Sequence, residues 1–163
     1  MRPNQYSGCT MMASGTLSPE VIDLGIDSTG LGRWCWICLG LGTKKTKIVM
    51  AYQPSNSKRS AGTTAKDQHS RYFCSLGDAR SPHTIFFKQI VSQLISWKAI
   101  DNNIVILGNF NKNVYTHRLA WRLTQDDLNL TDICRCHTRI PIPPTFRTGS
   151  APIDGIFATS QMC

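Results

Sequence analysis

The amino-acid sequence predicts an α+β domain in which sheet layers are covered by helices. Three observations lead there. Residues 34–39 and 47–52 are neighbouring apolar stretches with the short length and residue types of strands. A long stripe of large apolar residues follows Ser81-Pro82 at helical spacing. A four-residue apolar run, 104–107, then reads as another buried strand. Strands adjacent at the start, then a helix, then a strand make a mixed order.

Each element has its own local cause. Residues 1–32 are rich in Gly, Ser and Thr, and only 10–13 and 20–26 have the makings of short strands. From Arg33 the pattern sharpens. Trp34, Trp36 and Cys38 alternate with Cys35, Ile37 and Leu39, so both faces are apolar, as in a central strand. Gly42-Thr43-Lys44-Lys45 breaks the run, and residues 47–52 form a hairpin partner that Pro54 ends. Residues 55–64 are a polar loop. Ser81 is an N-cap with proline at the first helical position, and the helix carries Phe86, Ile90, Leu94 and Trp97 on one stripe beside Phe87, Val91 and Ile95. Asn102-Asn103 turns the chain into the 104–107 strand. Gly108-Asn109-Phe110-Asn111 follows at that strand's carboxyl end, where layered proteins place their chemistry. Residues 115–123 read as a helix, 140–144 as extended chain, Thr148-Gly149-Ser150 as a turn and 153–158 as a final strand.

Composition narrows the class. The chain has 163 residues, suited to one domain, and 41% hydrophobic against 17% charged residues suffices for a core and argues against general disorder. The longest apolar run, from Trp34 to Gly42, is too short to span a bilayer, and the N-terminus has no apolar signal core. Seven cysteines, an odd number without a small-scaffold pattern, point to reduced thiols and an intracellular setting, cytoplasm or nucleus. The net charge of +8 is concentrated. Residues 33–100 hold eleven basic residues against Asp67 and Asp78, which points to a polyanionic partner such as nucleic acid, with Lys44, Lys45, Lys58 and Arg59 as its contacts. The plainer reading of the same charge is a solvated, solubilising surface.

Cys35-x2-Cys38 with Cys134-x-Cys136-His137 suggests zinc, but the first pair lies on a strand, where positions i and i+3 face opposite sides. No metal site is assigned. His69, His83 and His117 have no ligand-spaced partners. Neither a glycine-rich phosphate loop nor a serine-hydrolase elbow is present. What remains is three segments that each put a polar side chain at a strand end: Tyr52-Gln53-Pro54, Gly108-Asn109-Phe110-Asn111, and Ile153-Asp154-Gly155-Ile156-Phe157. Singly, each is explained by turn and strand preferences.

In this order the segments resemble the motifs of the endonuclease/exonuclease/phosphatase superfamily, the fold of pancreatic deoxyribonuclease, abasic-site endonucleases and retrotransposon endonuclease domains. Its motifs are a strand ending Tyr-x-Pro, a strand followed by Gly-Asp-Phe-Asn, and a late Thr-Phe followed by Ile-Asp-Tyr-Ile/Phe. Here they stand as Tyr52-Gln53-Pro54, Gly108-Asn109-Phe110-Asn111, and Thr145-Phe146 with Ile153-Asp154-Gly155-Ile156-Phe157. Gly32-Arg33-Trp34 opening a strand agrees as well. The resemblance spans residues 8–160 and leans toward the retroelement-associated or uncharacterised eukaryotic members.

It implies a two-sheet sandwich flanked by helices, a four-layer α/β/β/α arrangement, and phosphodiester hydrolysis with a divalent cation, usually Mg2+. Carried over residue by residue, Tyr52 contacts the scissile phosphate, Asn111 positions phosphate and attacking water, and Asp154 orients a histidine. Asn109 departs from the pattern, because it stands where the family has a water-activating aspartate. A neutral amide is no base, and loss of a general base costs on the order of 10²–10⁴ in rate. The early metal-binding Glu and the terminal Ser-Asp-His also have no counterpart. The sequence therefore reads as a domain truncated at both ends, weakly active or inactive, with sheet edges exposed to self-association. The alternative is a non-catalytic nucleic-acid or phosphate-binding module that uses the basic 33–100 region.

Overall fold

The computed structural model describes residues 8–55, 64–100, 103–125, 127–138, 142–146 and 149–162. Six strands form one mixed sheet. In chain order they are β1 (Val21–Ile26), β2 (Trp34–Leu41), β3 (Lys44–Tyr52), β4 (Asn103–Asn109), β5 (Leu130–Asp132) and β6 (Asp154–Thr159). Four helices accompany them: α1 (Ala65–Ser75), α2 (Pro82–Ile100), α3 (Arg118–Leu123) and α4 (Ile133–His137). The strands lie in the order β1-β2-β3-β4-β6-β5. All neighbours are antiparallel except β3 and β4, which are parallel because α1 and α2 carry the chain back between them.

The hairpin forms as its sequence predicts. Gly42, at φ 65°, takes the first place in a two-residue turn, and Leu41 pairs with Lys44. The strand therefore begins three residues earlier than the apolar pattern suggested. Register then sorts the side chains. Trp34, Trp36 and Cys38 lie opposite Ala51, Val49 and Lys47, and continue across to Gly108, Ile106 and Ile104. This face receives α2 through the buried Phe86, Ile90, Leu94 and Trp97, joined by Leu119 and Leu123 of α3 in the main core. Ser81 caps α2 by accepting from the Thr84 N–H at 3.2 Å. Cys35 and Cys38 fall on opposite faces, as their strand spacing requires.

The α+β class is what the sequence predicts, and among the described residues the sandwich is represented by one six-stranded sheet with helices packed on one face. Residues 10–13 form no strand, and 115–123 becomes helical only from Arg118. Most of the 55–64 loop and parts of the 140–144 segment and the Thr148 turn lie outside the described residues. Two helices and one strand had no strong apolar signature. α1 is held by a capping box between Thr64 and Asp67 and buries only His69 and Phe73, while α4 is one turn capped by Asp132. β5 has three residues and sits at the sheet edge.

Candidate functional site

The three strand-end motifs converge on one rung of the sheet. Tyr52 ends β3, Asn109 ends β4, Asp154 begins β6, and the register pairs Tyr52 with Asn109 and Asn109 with Asp154. With strands about 4.8 Å apart, the three α-carbons span about 10 Å. Alternation sends all three side chains to the face away from α2, whereas Ala51, Gly108 and Gly155 face it.

The rung is held by tight backbone contacts. Gly108 has φ 152°, and a β-carbon there would lie 1.8 Å from the Ala51 carbonyl oxygen, so only glycine lets β4 approach β3 this closely. Beyond the rung, the Gln53 N–H donates to the Asn109 carbonyl at 2.9 Å and the Phe110 N–H to that of Ile153 at 2.8 Å. Asn111 adopts φ 48°, a left-handed conformation that asparagine tolerates. Its side-chain N–H donates to the Gln53 carbonyl at 2.6 Å, and its backbone N–H donates to Asn109 Oδ1 at 2.9 Å. The Asn109 amide is thus a loop-fastening acceptor. Thr145 braces the third strand, since its hydroxyl accepts from the N–H groups of Ile153 and Asp154 at 3.0 and 3.2 Å.

Tyr52 is half-buried. Burial and the neighbouring Cys9 push its hydroxyl above the ordinary value, while the Asn111 amide pulls the other way, so it enters chemistry as a neutral phenol and hydrogen-bond donor. Burial, with Cys35 and Asp27 nearby, pushes the Cys9 thiol up to about 12, which makes it a poor nucleophile. The base of β2 is fixed by a buried ion pair. Arg33 donates to Asp27 at 2.6 and 2.7 Å and to Gln89 Oε1 at 2.6 Å. The Arg33 carbonyl receives the Tyr52 N–H at 2.8 Å, so the pair and the candidate site share a strand end.

The proposed nucleic-acid contacts lie elsewhere. Lys44 and Lys45 are exposed at the hairpin turn, about 23 Å along β3 from Tyr52 at the usual rise per residue. Lys58 and Arg59 fall outside the described residues. Part of the basic middle third faces inward. Arg33 is in its ion pair, and the Lys47 ammonium sits 3.8 Å from the Trp36 ring and 5.0 Å from Trp97. Arg80 pairs with Asp78, and Lys98 donates to the Leu128 carbonyl.

A magnesium ion does not fit the residues gathered here. Mg2+ wants hard anionic oxygen, and among the described residues the rung offers one carboxylate, Asp154, beside two neutral amides. The chain's one glutamate, Glu20, precedes β1 where Val21 pairs with Leu39, toward the hairpin end of the sheet.

No protein-family model matches the chain, and no curated protein matches it. Solved structures with a similar fold include the human Nocturnin catalytic domain with bound sulfate anion (15% identity, TM-score 0.46) and beta toxin 275-280 from Staphylococcus aureus (13%, 0.41). Sphingomyelinase C from Streptomyces griseocarneus is a third (15%, 0.40). All three are endonuclease/exonuclease/phosphatase superfamily proteins. Each comparison covers 78% of this chain and 41–42% of the other, so the chain spans less than half the length of these neighbours.

Proposed function

We propose that the chain is a nuclease-like phosphodiesterase domain whose hydrolytic site has lost its catalytic groups and retains a surface for a phosphodiester. The observation that supports this reading is the meeting of Tyr52, Asn109 and Asp154 on one rung with Asn111 folded over it. Three motifs far apart in sequence supply neighbouring polar groups on one side of the sheet. A phenol that stays protonated and an amide N–H suit phosphate oxygens as donors. The missing function is equally local. Asn109 carries no charge, its side-chain oxygen accepts from the Asn111 N–H of the loop, and it cannot take a proton from water.

The test is a nuclease assay on plasmid and abasic DNA with magnesium or manganese. The reading expects background cleavage that Asn111→Ala does not change. Robust turnover abolished by Asn111→Ala overturns it and makes the domain a working enzyme. The binding-module alternative draws on exposed Lys44 and Lys45 and expects DNA affinity that falls steeply with salt. Absence of binding at low salt removes it.

A further inference from the structure

On the helix side of the sheet, behind the candidate rung, lies a cavity of about 140 Å³ lined by Gln53, His83, Thr84, Phe87, Lys88, His117 and Arg118. Its chemistry is one-sided. Two imidazoles, an ammonium and a guanidinium surround it, Lys112 acts on both imidazoles, and no carboxylate lines it among the described residues. Arg118 is held at the rim, its guanidinium 4.4 Å over the Phe87 ring. At the floor, Gln53 is 1% exposed and its side-chain oxygen has no hydrogen-bond partner. A buried unpaired acceptor is costly and calls for a donor. The cavity thus combines a lining of positive charge with an acceptor that needs a proton.

We infer that this cavity binds the phosphate group of a phosphomonoester, with the basic side chains on its anionic oxygens and Gln53 Oε1 accepting from its P–OH. Sulfate has the same tetrahedral shape but carries no proton near neutral pH, whereas the phosphomonoester monoanion keeps one up to a pKa of about 6, so Gln53 discriminates against sulfate. The space suits one tetrahedral oxyanion and a water or two, at about 30 Å³ per water. The histidines couple the site to pH. His83 is hydrogen-bonded to the Pro54 carbonyl at 2.6 Å and faces Lys66, Lys112, His69 and His117. His117 accepts the Leu119 N–H through Nδ1 and faces Lys112 and His83. Burial and these cations hold both imidazoles below their ordinary value, so an arriving anion favours their protonation and binding tightens as pH falls. The site faces the opposite side of the sheet from Tyr52 and stands or falls independently of the nuclease-like reading.

The experiment is histidine-ring NMR on the full 163-residue chain, titrated with inorganic phosphate, sulfate and chloride at matched ionic strength up to about 20 mM, a range that reads millimolar affinity. Phosphate is expected to raise the titration midpoints of His83 and His117 while the resonances of His137, on α4, stay in place. The double variant Lys88→Gln/Arg118→Gln is expected to weaken phosphate about tenfold, about threefold for each exposed contact. Gln53→Met is expected to erase the preference over sulfate. A 5′-phosphorylated oligonucleotide competing with phosphate, where its unphosphorylated twin does not, assigns the group to a nucleic-acid end. Failure of both oligonucleotides assigns it to a small phosphomonoester. No response of His83 and His117 to phosphate beyond chloride, or an equal response to sulfate, overturns the proposal.

Discussion

Removing the charge of Asp27 tests how the strand end that carries Tyr52 is held. Asp27 and Arg33 are each 1% exposed, and the guanidinium is closed in by the Trp34 ring at 4.4 Å and the Phe73 ring at 5.2 Å. In Asp27→Asn, Arg33 keeps Gln89 as its remaining strong acceptor and faces an amide that offers donors where the carboxylate accepted. Stranding one member of a buried pair costs about 3–5 kcal/mol, a large share of the roughly 5–15 kcal/mol that holds a domain together. At a urea slope of about 2 kcal/mol/M the unfolding midpoint drops by about 2 M. The double variant Asp27→Leu/Arg33→Met, which removes both charges, recovers most of that loss. The assay is urea unfolding followed by circular dichroism. Burial alone would raise the Asp27 carboxyl, but hydrogen bonds from Arg33 and Thr29 hold it below its ordinary 3.8. Its stabilisation is therefore complete above about pH 4 and disappears as pH falls through the folded value, where wild type and Asp27→Asn converge. A loss below about 1 kcal/mol at neutral pH refutes the account.

Other outcomes follow from single contacts. Gly108→Ala forces a β-carbon against the Ala51 carbonyl and is expected to cost about 3 kcal/mol or more, read in the same unfolding experiment; a neutral result removes the close approach. His69 is 1% exposed, and burial, with Arg33 nearby, pushes it down to about 4 against the opposing pull of the Leu31 backbone and the Asp27 charge. Below about pH 6.5 the unfolded chain takes a proton that the folded one refuses, so stability falls between pH 6.5 and 4, and His69→Phe flattens that slope. Equal slopes in both proteins contradict this. Leu24 and Ile26, 67% and 71% exposed on edge strand β1, are expected to drive self-association; Leu24→Lys raises the concentration at which sedimentation detects it, and an unchanged threshold clears the edge of that role.

The strands and the long helix were legible because their signals are local. Apolar residues on both faces of 34–39, a Gly-started turn and a Ser-Pro cap each act within a few residues. The rung was legible as three strand ends but not as a rung, since adjacency of Tyr52, Asn109 and Asp154 depends on register across three strands. α1 was missed because one of its two buried positions is a histidine, which carries no apolar signal. Thr145 stood in a motif whose bracing role needs the fold. Gln53, His83 and His117 come from three separate segments, and nothing in their spacing announces a shared cavity. Charge counting misjudged Arg33 and Lys47, because burial and a partner are tertiary properties.

The lysine sandwiched between two indoles gives the molecule an optical readout of its own. Trp36 on the sheet and Trp97 on α2 lie 5.5 Å apart, and Lys47 stands against both rings. Their emission depends on whether helix and sheet are docked and on a fixed charge that moves away when they part. Trp121, 62% exposed, already samples water and serves as an internal reference. Detachment of α2 is therefore visible in an unlabelled sample, separately from fraying at the sheet edges.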